Sequence, residues 1–357
     1  MNRIERAREL FDTFDIDAML VTSSSNRFYL SGFTGSSGVL LLTKQEAILV
    51  TDFRYKGQAA EQAVGYRVVM HTSPIPAEVA KLTKELSIKK LGFEQDNVTF
   101  STYRTYDNQL KSADAELVPV TGLVEKLRLI KDASEIKIVK DAASIADAAF
   151  SHIIEYIRPG LTEREVSNEL EFFMRKNGAT SSSFDIIVAS GYRSALPHGV
   201  ASDKIIESGE LVTLDFGAHY KGYCSDITRT VAIGKVSDEL KKIYQIVYDA
   251  QMLGMNGIKP GMTGKEADAL TRDYIASQGY GDHFGHSTGH GIGLDVHEGP
   301  ALSFKSDTVL EPGMLVTVEP GIYVSGLGGV RIEDDALITE EGNESLTHST
   351  KSLLTIS

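Results

Sequence analysis

One cysteine, Cys224, stands in a chain of 357 residues. A lone thiol cannot close a disulfide within the chain, which fits a reducing compartment. Long apolar runs are missing too. No stretch approaches the ~20 residues that span a bilayer, and residues 1–10 are charged, without the apolar centre of a secretory leader. A cytoplasmic protein with no membrane contact is therefore expected. Positive charge is in deficit: 36 Lys and Arg against 49 Asp and Glu leave a formal charge of -13. Such a surface does not neutralise phosphates, so nucleic acid is not an expected partner. The rest is ordinary for a globular protein, 42% hydrophobic and 24% charged, and the length exceeds what one core usually holds. Two domains are expected, 1–125 and 126–357.

The first reads as α/β. Residues 18–22, 39–43 and 47–51 are short apolar runs with β-branched residues, separated by Gly-, Ser- and Asn-rich turns. Residues 78–86 read as a helix and 116–120 as a further strand. The boundary falls within 121–132. There Asp132 followed by Glu135 has capping-box spacing and opens a helix that runs to Ile157, before Pro159 and Gly160.

The second part repeats itself. Ile157-Arg158-Pro159-Gly160-Leu161-Thr162 is echoed by Ile258-Lys259-Pro260-Gly261-Met262-Thr263. Each Thr can cap a helix with a Glu three positions on, Glu165 or Glu266, and each helix closes at a Gly, Gly178 or Gly279. The echo continues from Leu211-Val212-Thr213-Leu214-Asp215-Phe216-Gly217 to Leu315-Val316-Thr317-Val318-Glu319-Pro320-Gly321, with an acid at the same place in both. A period near 100 residues is too long for a solenoid. It points to two similar α/β halves about a pseudo-twofold axis; the alternative is a coincidence of two Pro-Gly, helix, strand passages.

These strands carry acids where a core is expected. If Tyr220 and Lys221 form a two-residue hairpin loop between strands 210–216 and 223–233, Asp215 faces Asp226 on one side of the sheet. Opposed carboxylates repel, and a buried pair is costly unless a cation lies between them. The alternative is a pair at a wet sheet edge. In the second half Glu319 corresponds to Asp215, and Glu333 is the candidate partner to Asp226. Alternation places Arg331 and Glu333 on one face and Val330 and Ile332 on the other. The alternative for Glu333 is an ion pair with a nearby base. Asp334 and Asp335 read as turn or surface acids.

Of nine histidines, His283, His286, His290 and His297 fall in one Gly-rich passage. So many glycines do not suit a helical zinc motif; they suit a loop and strand that approach another backbone closely. Four carboxylates carry about -4, which two divalent cations would cancel. Carboxylates with an imidazole suit Mn²⁺ foremost, or Co²⁺ or Zn²⁺. Two such ions would activate water and polarise a carbonyl, so hydrolysis is the expected chemistry.

Leu214-Asp215-Phe216-Gly217, Ser225-Asp226-Ile227-Thr228-Arg229, Gly285-His286-Ser287-Thr288-Gly289-His290-Gly291 and Val318-Glu319-Pro320-Gly321 together resemble the pita-bread metallopeptidases. The resemblance implies an N-terminal creatinase-like α/β domain before a pita-bread catalytic domain with internal duplication, an α/β (α+β) fold. It assigns Asp215, Asp226, His290, Glu319 and Glu333 as ligands of two metals. The additional N-terminal domain, the stretch Gly191-Tyr192-Arg193-Ser194-Ala195-Leu196-Pro197-His198-Gly199 and an Arg two before Glu333 are similar to the Xaa-Pro branch, aminopeptidase P and prolidase. That branch implies hydrolysis of the bond between an N-terminal residue and proline in small peptides, and a homodimer. It also implies that Glu319 is a general base, that His198, His286 and His297 bind substrate and handle protons, and that Arg331 orients an acid through a bidentate contact or binds a substrate carboxylate. A methionine-type aminopeptidase and an inactive binding protein of the same fold are the alternatives.

Overall fold

A computed structural model describes residues 2–357. The chain divides into two compact units, Met1–Arg128 and Leu129–Ser357. None of the described helices is long and apolar enough to cross a membrane.

In the first unit six strands form one mixed sheet, in the order Arg67–Met70, Ala47–Thr51, Val39–Thr43, Ala18–Val21, Lys90–Glu94, Glu116–Val120. The central strands are buried on both faces, which is why they read as unbroken apolar runs rather than alternating ones. The edge strand Arg67–Met70 is half exposed, and Lys90–Glu94 carries a charge at each end; neither shows as an apolar run. The helix expected over 78–86 begins earlier, at Ile75. Pro76 sits in its first turn, where an N–H has no partner to lose.

The second unit contains the duplication as two runs of the same elements. In the first, helices Ala133–Tyr156 and Glu163–Lys176 precede antiparallel strands Ile187–Ser190, Glu210–Phe216 and Ile227–Ile233, adjacent in that order. In the second, helices Asp238–Gly257 and Gly264–Ser277 precede Gly289–Gly291, Leu315–Val318 and Asp334–Ile338, again adjacent and antiparallel. Both short helices open with a complete capping box, Thr162 with Glu165 and Thr263 with Glu266, and so does the long helix at Asp132 with Glu135. Gly178 and Gly279 follow the two short helices with positive φ.

The hairpin register differs from the expected one. The loop is Lys221-Gly222, with φ of 49° and 88°, so Tyr220 pairs with Tyr223 and Asp215 with Thr228. A type I′ turn needs positive φ at both loop positions, which Gly at the second allows and Tyr at the first would resist. The shift takes Asp226 from directly opposite Asp215 to a diagonal position, just before the strand Ile227–Ile233.

Candidate metal centre

The duplication places its four acids at equivalent corners. Asp215 is the penultimate residue of Glu210–Phe216, and Glu319 directly follows Leu315–Val318. Asp226 and Glu333 each precede the neighbouring strand by one residue. His290 is the middle residue of Gly289–Gly291. Its strand can lie there because Gly289 has no side chain: a Cβ would stand 1.9 Å from the Thr317 carbonyl oxygen. The glycines of the histidine passage thus bring an imidazole against another backbone.

These five residues, together with His198, His286, His297 and Arg331, line one cavity of about 510 Å³. Asp226, His290 and Glu333 offer ligand atoms all within 4.8 Å of one another. His290 Nε2 lies 3.4 Å from Glu319 Oε1 and 3.8 Å from Asp226 Oδ2. Its Nδ1 lies 3.0 Å from the Gly291 carbonyl, which fixes the tautomer with Nδ1–H donating and leaves the Nε2 lone pair facing the acids. Burial holds the imidazole below its ordinary pKa, hence neutral and able to ligate.

The carboxylates are placed under tension. Burial, then the charges of Glu333 and Asp215, push Asp226 well above the usual carboxylate range. Burial, then Glu319 and Asp215, does the same to Glu333, and burial foremost raises Glu319. Part of each group is tied down. Thr228 Oγ1 donates to Glu333 Oε2 at 2.6 Å, Thr317 Oγ1 to Glu319 Oε1 at 3.1 Å, and Arg331 Nη2 to Asp215 Oδ2. Asp215 Oδ1, Asp226 Oδ1 and Glu333 Oε1 are buried with no hydrogen-bond partner. Buried acceptors without donors cost on the order of 1–3 kcal/mol each, more when charged. Three of them beside a free imidazole lone pair fit hard divalent cations.

Arg331 contacts Asp215 through one nitrogen rather than two. Its other nitrogens donate to Thr228 Oγ1 at 3.2 Å and to Tyr323 Oη at 2.8 Å. The bidentate contact expected for it is therefore replaced by a three-way brace. Glu333 makes no ion pair with a base among the described residues; Arg331 goes to Asp215 instead. Tyr323 is a residue that sequence reasoning missed. Its hydroxyl lies 2.7 Å from His286 Nε2, while His286 Nδ1 donates to the Ser287 carbonyl at 2.8 Å. The tyrosine O–H therefore donates to His286, in a chain from Arg331 through Tyr323. Burial pushes that phenol up to about 12. Only the pairing of Gly321–Val324 with Gly328–Arg331 brings Tyr323 to this point.

The histidines divide by position. His297 lies edge-on to His290, ring centroids 4.3 Å apart, and burial foremost lowers its pKa. His198 is exposed on the cavity wall. His283 is outside the lining and reaches the Tyr323 carbonyl at 3.2 Å.

Asp334 and Asp335 are not surface acids; both are fully buried. The strand Asp334–Ile338 is interior to its sheet, between Leu315–Val318 and Asn343–Ser345, and all of its residues are buried. Burial opposes ionisation of Asp334, but the adjoining charges of Arg229 and Lys351 outweigh it and hold the carboxyl below its ordinary value. Asp335 accepts the backbone N–H of Asp226 at 2.9 Å and so fixes that candidate ligand from behind.

Residues 137–340 match metallopeptidase family M24, and residues 3–130 match the creatinase/prolidase N-terminal domain. An Xaa-Pro dipeptidase from Pyrococcus horikoshii is 42% identical over 359 residues, which cover 99% of this chain and 98% of the relative. The solved structure of an Xaa-Pro dipeptidase from Bacillus anthracis is 65% identical, with a TM-score of 0.97 over 99% of both chains. That of an X-Pro aminopeptidase from Thermotoga maritima is 41% identical, with a TM-score of 0.91 over 99% of this chain and 100% of the other.

Proposed function

Because the chain belongs to metallopeptidase family M24, with a creatinase/prolidase N-terminal domain ahead of the catalytic one, we propose that it hydrolyses the bond between an N-terminal residue and proline in small peptides. The observation that carries the reading is the set of three unpartnered buried oxygens, on Asp215, Asp226 and Glu333, gathered with His290 in one cavity. Asp215, Asp226, His290, Glu319 and Glu333 would hold two divalent cations, Mn²⁺ by preference for oxygen-rich sites. Bound there, the ions would supply Lewis acidity to the scissile carbonyl and acidify water.

The remaining work falls to the chain's own groups. Glu319, its basicity raised by burial, takes the proton of the attacking water. His297 and His198 stand on the cavity wall to donate to the developing oxyanion and to the leaving imino nitrogen. Arg331 braces Asp215 and, through Tyr323, keeps His286 in its neutral tautomer. Phe184, Ile187, Pro197, Val200 and Val296 add an apolar wall. A proline ring, which has no N–H to offer, is accepted there by shape.

The test is turnover by protein stripped of metal and reloaded with Mn²⁺, Co²⁺ or Zn²⁺, on Ala-Pro, Ala-Ala and Met-Ala-Ser. Metal-dependent cleavage confined to Ala-Pro is expected. Cleavage of Met-Ala-Ser alone, or none with any metal, would overturn the proposal. Relatives named dipeptidase and aminopeptidase leave a second reading, removal of the first residue from longer Xaa-Pro peptides. Ala-Pro-Ala assayed beside Ala-Pro separates the two.

A further inference from the structure

The motif Ser225-Asp226-Ile227-Thr228-Arg229 supplies a candidate ligand at Asp226 and a hydroxyl at Thr228, but Arg229 touches neither the cavity nor the reacting groups. Arg229 is nevertheless among the largest fully buried side chains of the described residues, at 0% exposure. A buried guanidinium is stable only when its charge and its donors are met, and each contact it makes is informative.

Glu333 lies where the chain changes sheets. The strand Gly328–Arg331 belongs to a two-stranded ribbon and Asp334–Ile338 to a five-stranded sheet; residues 332 and 333 are in neither. The Glu333 peptide therefore has no strand ladder to hold it. Its N–H donates to the Thr228 carbonyl at 3.1 Å. Its carbonyl accepts from Arg229 Nη1, which also donates to the Thr228 carbonyl at 2.9 Å. Nη2 donates to Asp334 Oδ1 at 2.7 Å and to the Ser349 carbonyl at 2.7 Å, and Nε reaches the Thr350 carbonyl at 3.1 Å. Asp334 in turn accepts from Lys351 Nζ at 2.6 Å, Gln251 Nε2 at 2.7 Å and Thr347 Oγ1 at 2.8 Å.

We propose that Arg229 is a positioning residue that fixes Glu333 for metal binding, and that residues 349–351 form the outer jaw of the same clamp. The proposal rests on the reading of Glu333 as a ligand. One planar fork joins the carbonyls of Thr228 and Glu333 on its inner side to Asp334 and the C-terminal segment on its outer side. Lysine, a single point donor, cannot span these. Loosening the clamp lets the Glu333 carboxylate swing at the sheet change, while the cores of the two halves stay intact.

The test compares wild type, Arg229→Lys and Lys351→Met. For each, Mn²⁺ affinity of metal-free protein is measured by calorimetry, the visible spectrum is recorded with Co²⁺ bound, and unfolding of metal-free protein is followed by heat. Arg229→Lys is expected to weaken Mn²⁺ binding by about 10–100-fold, the usual effect of disturbing a ligand's support, and to shift the Co²⁺ bands. Lys351→Met should move both in the same direction by less. An Arg229→Lys protein with wild-type affinity and spectrum, whatever its melting temperature, would overturn the clamp. If Arg229→Lys does not fold, Lys351→Met decides, since its side chain reaches solvent and its loss spares the core; unchanged affinity there overturns the proposal as well. A wild-type protein that takes up no metal would refute the ligand assignment rather than the clamp.

Discussion

Asp226 concentrates the electrostatic problem of this site. It is buried, faces Glu333, Asp215, Asp335 and Glu319, and leaves one oxygen without a donor. Asp226→Asn removes one ligand and, with it, a carboxyl whose ionisation burial and its neighbours oppose. Mn²⁺ uptake should be lost, whereas metal-free protein at neutral pH should melt a few degrees higher, since about 1 kcal/mol shifts a chain of this size by ~2–4 °C. Atomic absorption and calorimetry check the two halves; a variant that keeps both Mn²⁺ and peptidase activity would refute the site. His297 lies edge-on to His290 without being placed to replace it. His297→Ala should lower kcat by about 10²–10⁴-fold with metal content unchanged. Loss of metal would mean that a proton-handling group had been taken for one that ligates.

Elements set these residues in place through local rules that repeat in the two halves. Capping boxes start corresponding helices at Thr162 and Thr263, and each helix leads to strands whose ends carry the acids. Thr263→Ala removes one acceptor at a helix start and should cost about 1 kcal/mol of stability, seen as a lower urea midpoint with activity kept. Gly289→Ala is of another kind. Its methyl would meet the Thr317 carbonyl at 1.9 Å and push the His290 strand away. Mn²⁺ affinity should fall more than the melting temperature does, and titration with Mn²⁺ beside thermal unfolding shows which. The hairpin at Lys221-Gly222 teaches the limit of such rules. Both candidate loops are two residues long, and only the conformational freedom of Gly222 selects the register that sets Asp215 beside Thr228.

For the whole molecule, four buried carboxyls, Asp226, Glu319, Glu333 and Asp335, have folded-state pKa values above the ordinary range, burial being the main cause in each. The metal-free folded state therefore binds protons more tightly than the unfolded chain. The resulting stabilisation is complete below the ordinary carboxylate value of about 4 and is lost as pH rises through the raised values. The buried histidines, held below their ordinary value, act in the opposite sense only below about pH 6.5, so metal-free protein should melt lower at about pH 8 than at about pH 6.5, and saturating Mn²⁺ should flatten or reverse that slope, because cations take the place of the protons. Melting curves with and without chelator decide it; a metal-free melting temperature that climbs over that range would contradict the burial of these acids as neutral groups.

The sequence by itself determined the duplication, the helix starts and the acids that mark each half, because capping spacing, apolar runs and Pro-Gly breaks are written locally. It also carried the five candidate ligands and the histidines, since chemistry of that kind needs particular residue types in a particular order. Tertiary structure alone decided what surrounds them. Asp334 and Asp335 resemble a surface turn until an interior strand and distant partners, Arg229 and Gln251 on Asp334 and the Asp226 N–H on Asp335, enclose them. Tyr323 resembles an ordinary strand residue until the ribbon folds it onto Arg331 and His286. Arg229 gains its partners from Ser349, Thr350 and Glu333, all more than 100 positions away. Burial and long-range pairing depend on which elements meet, and no local pattern encodes that.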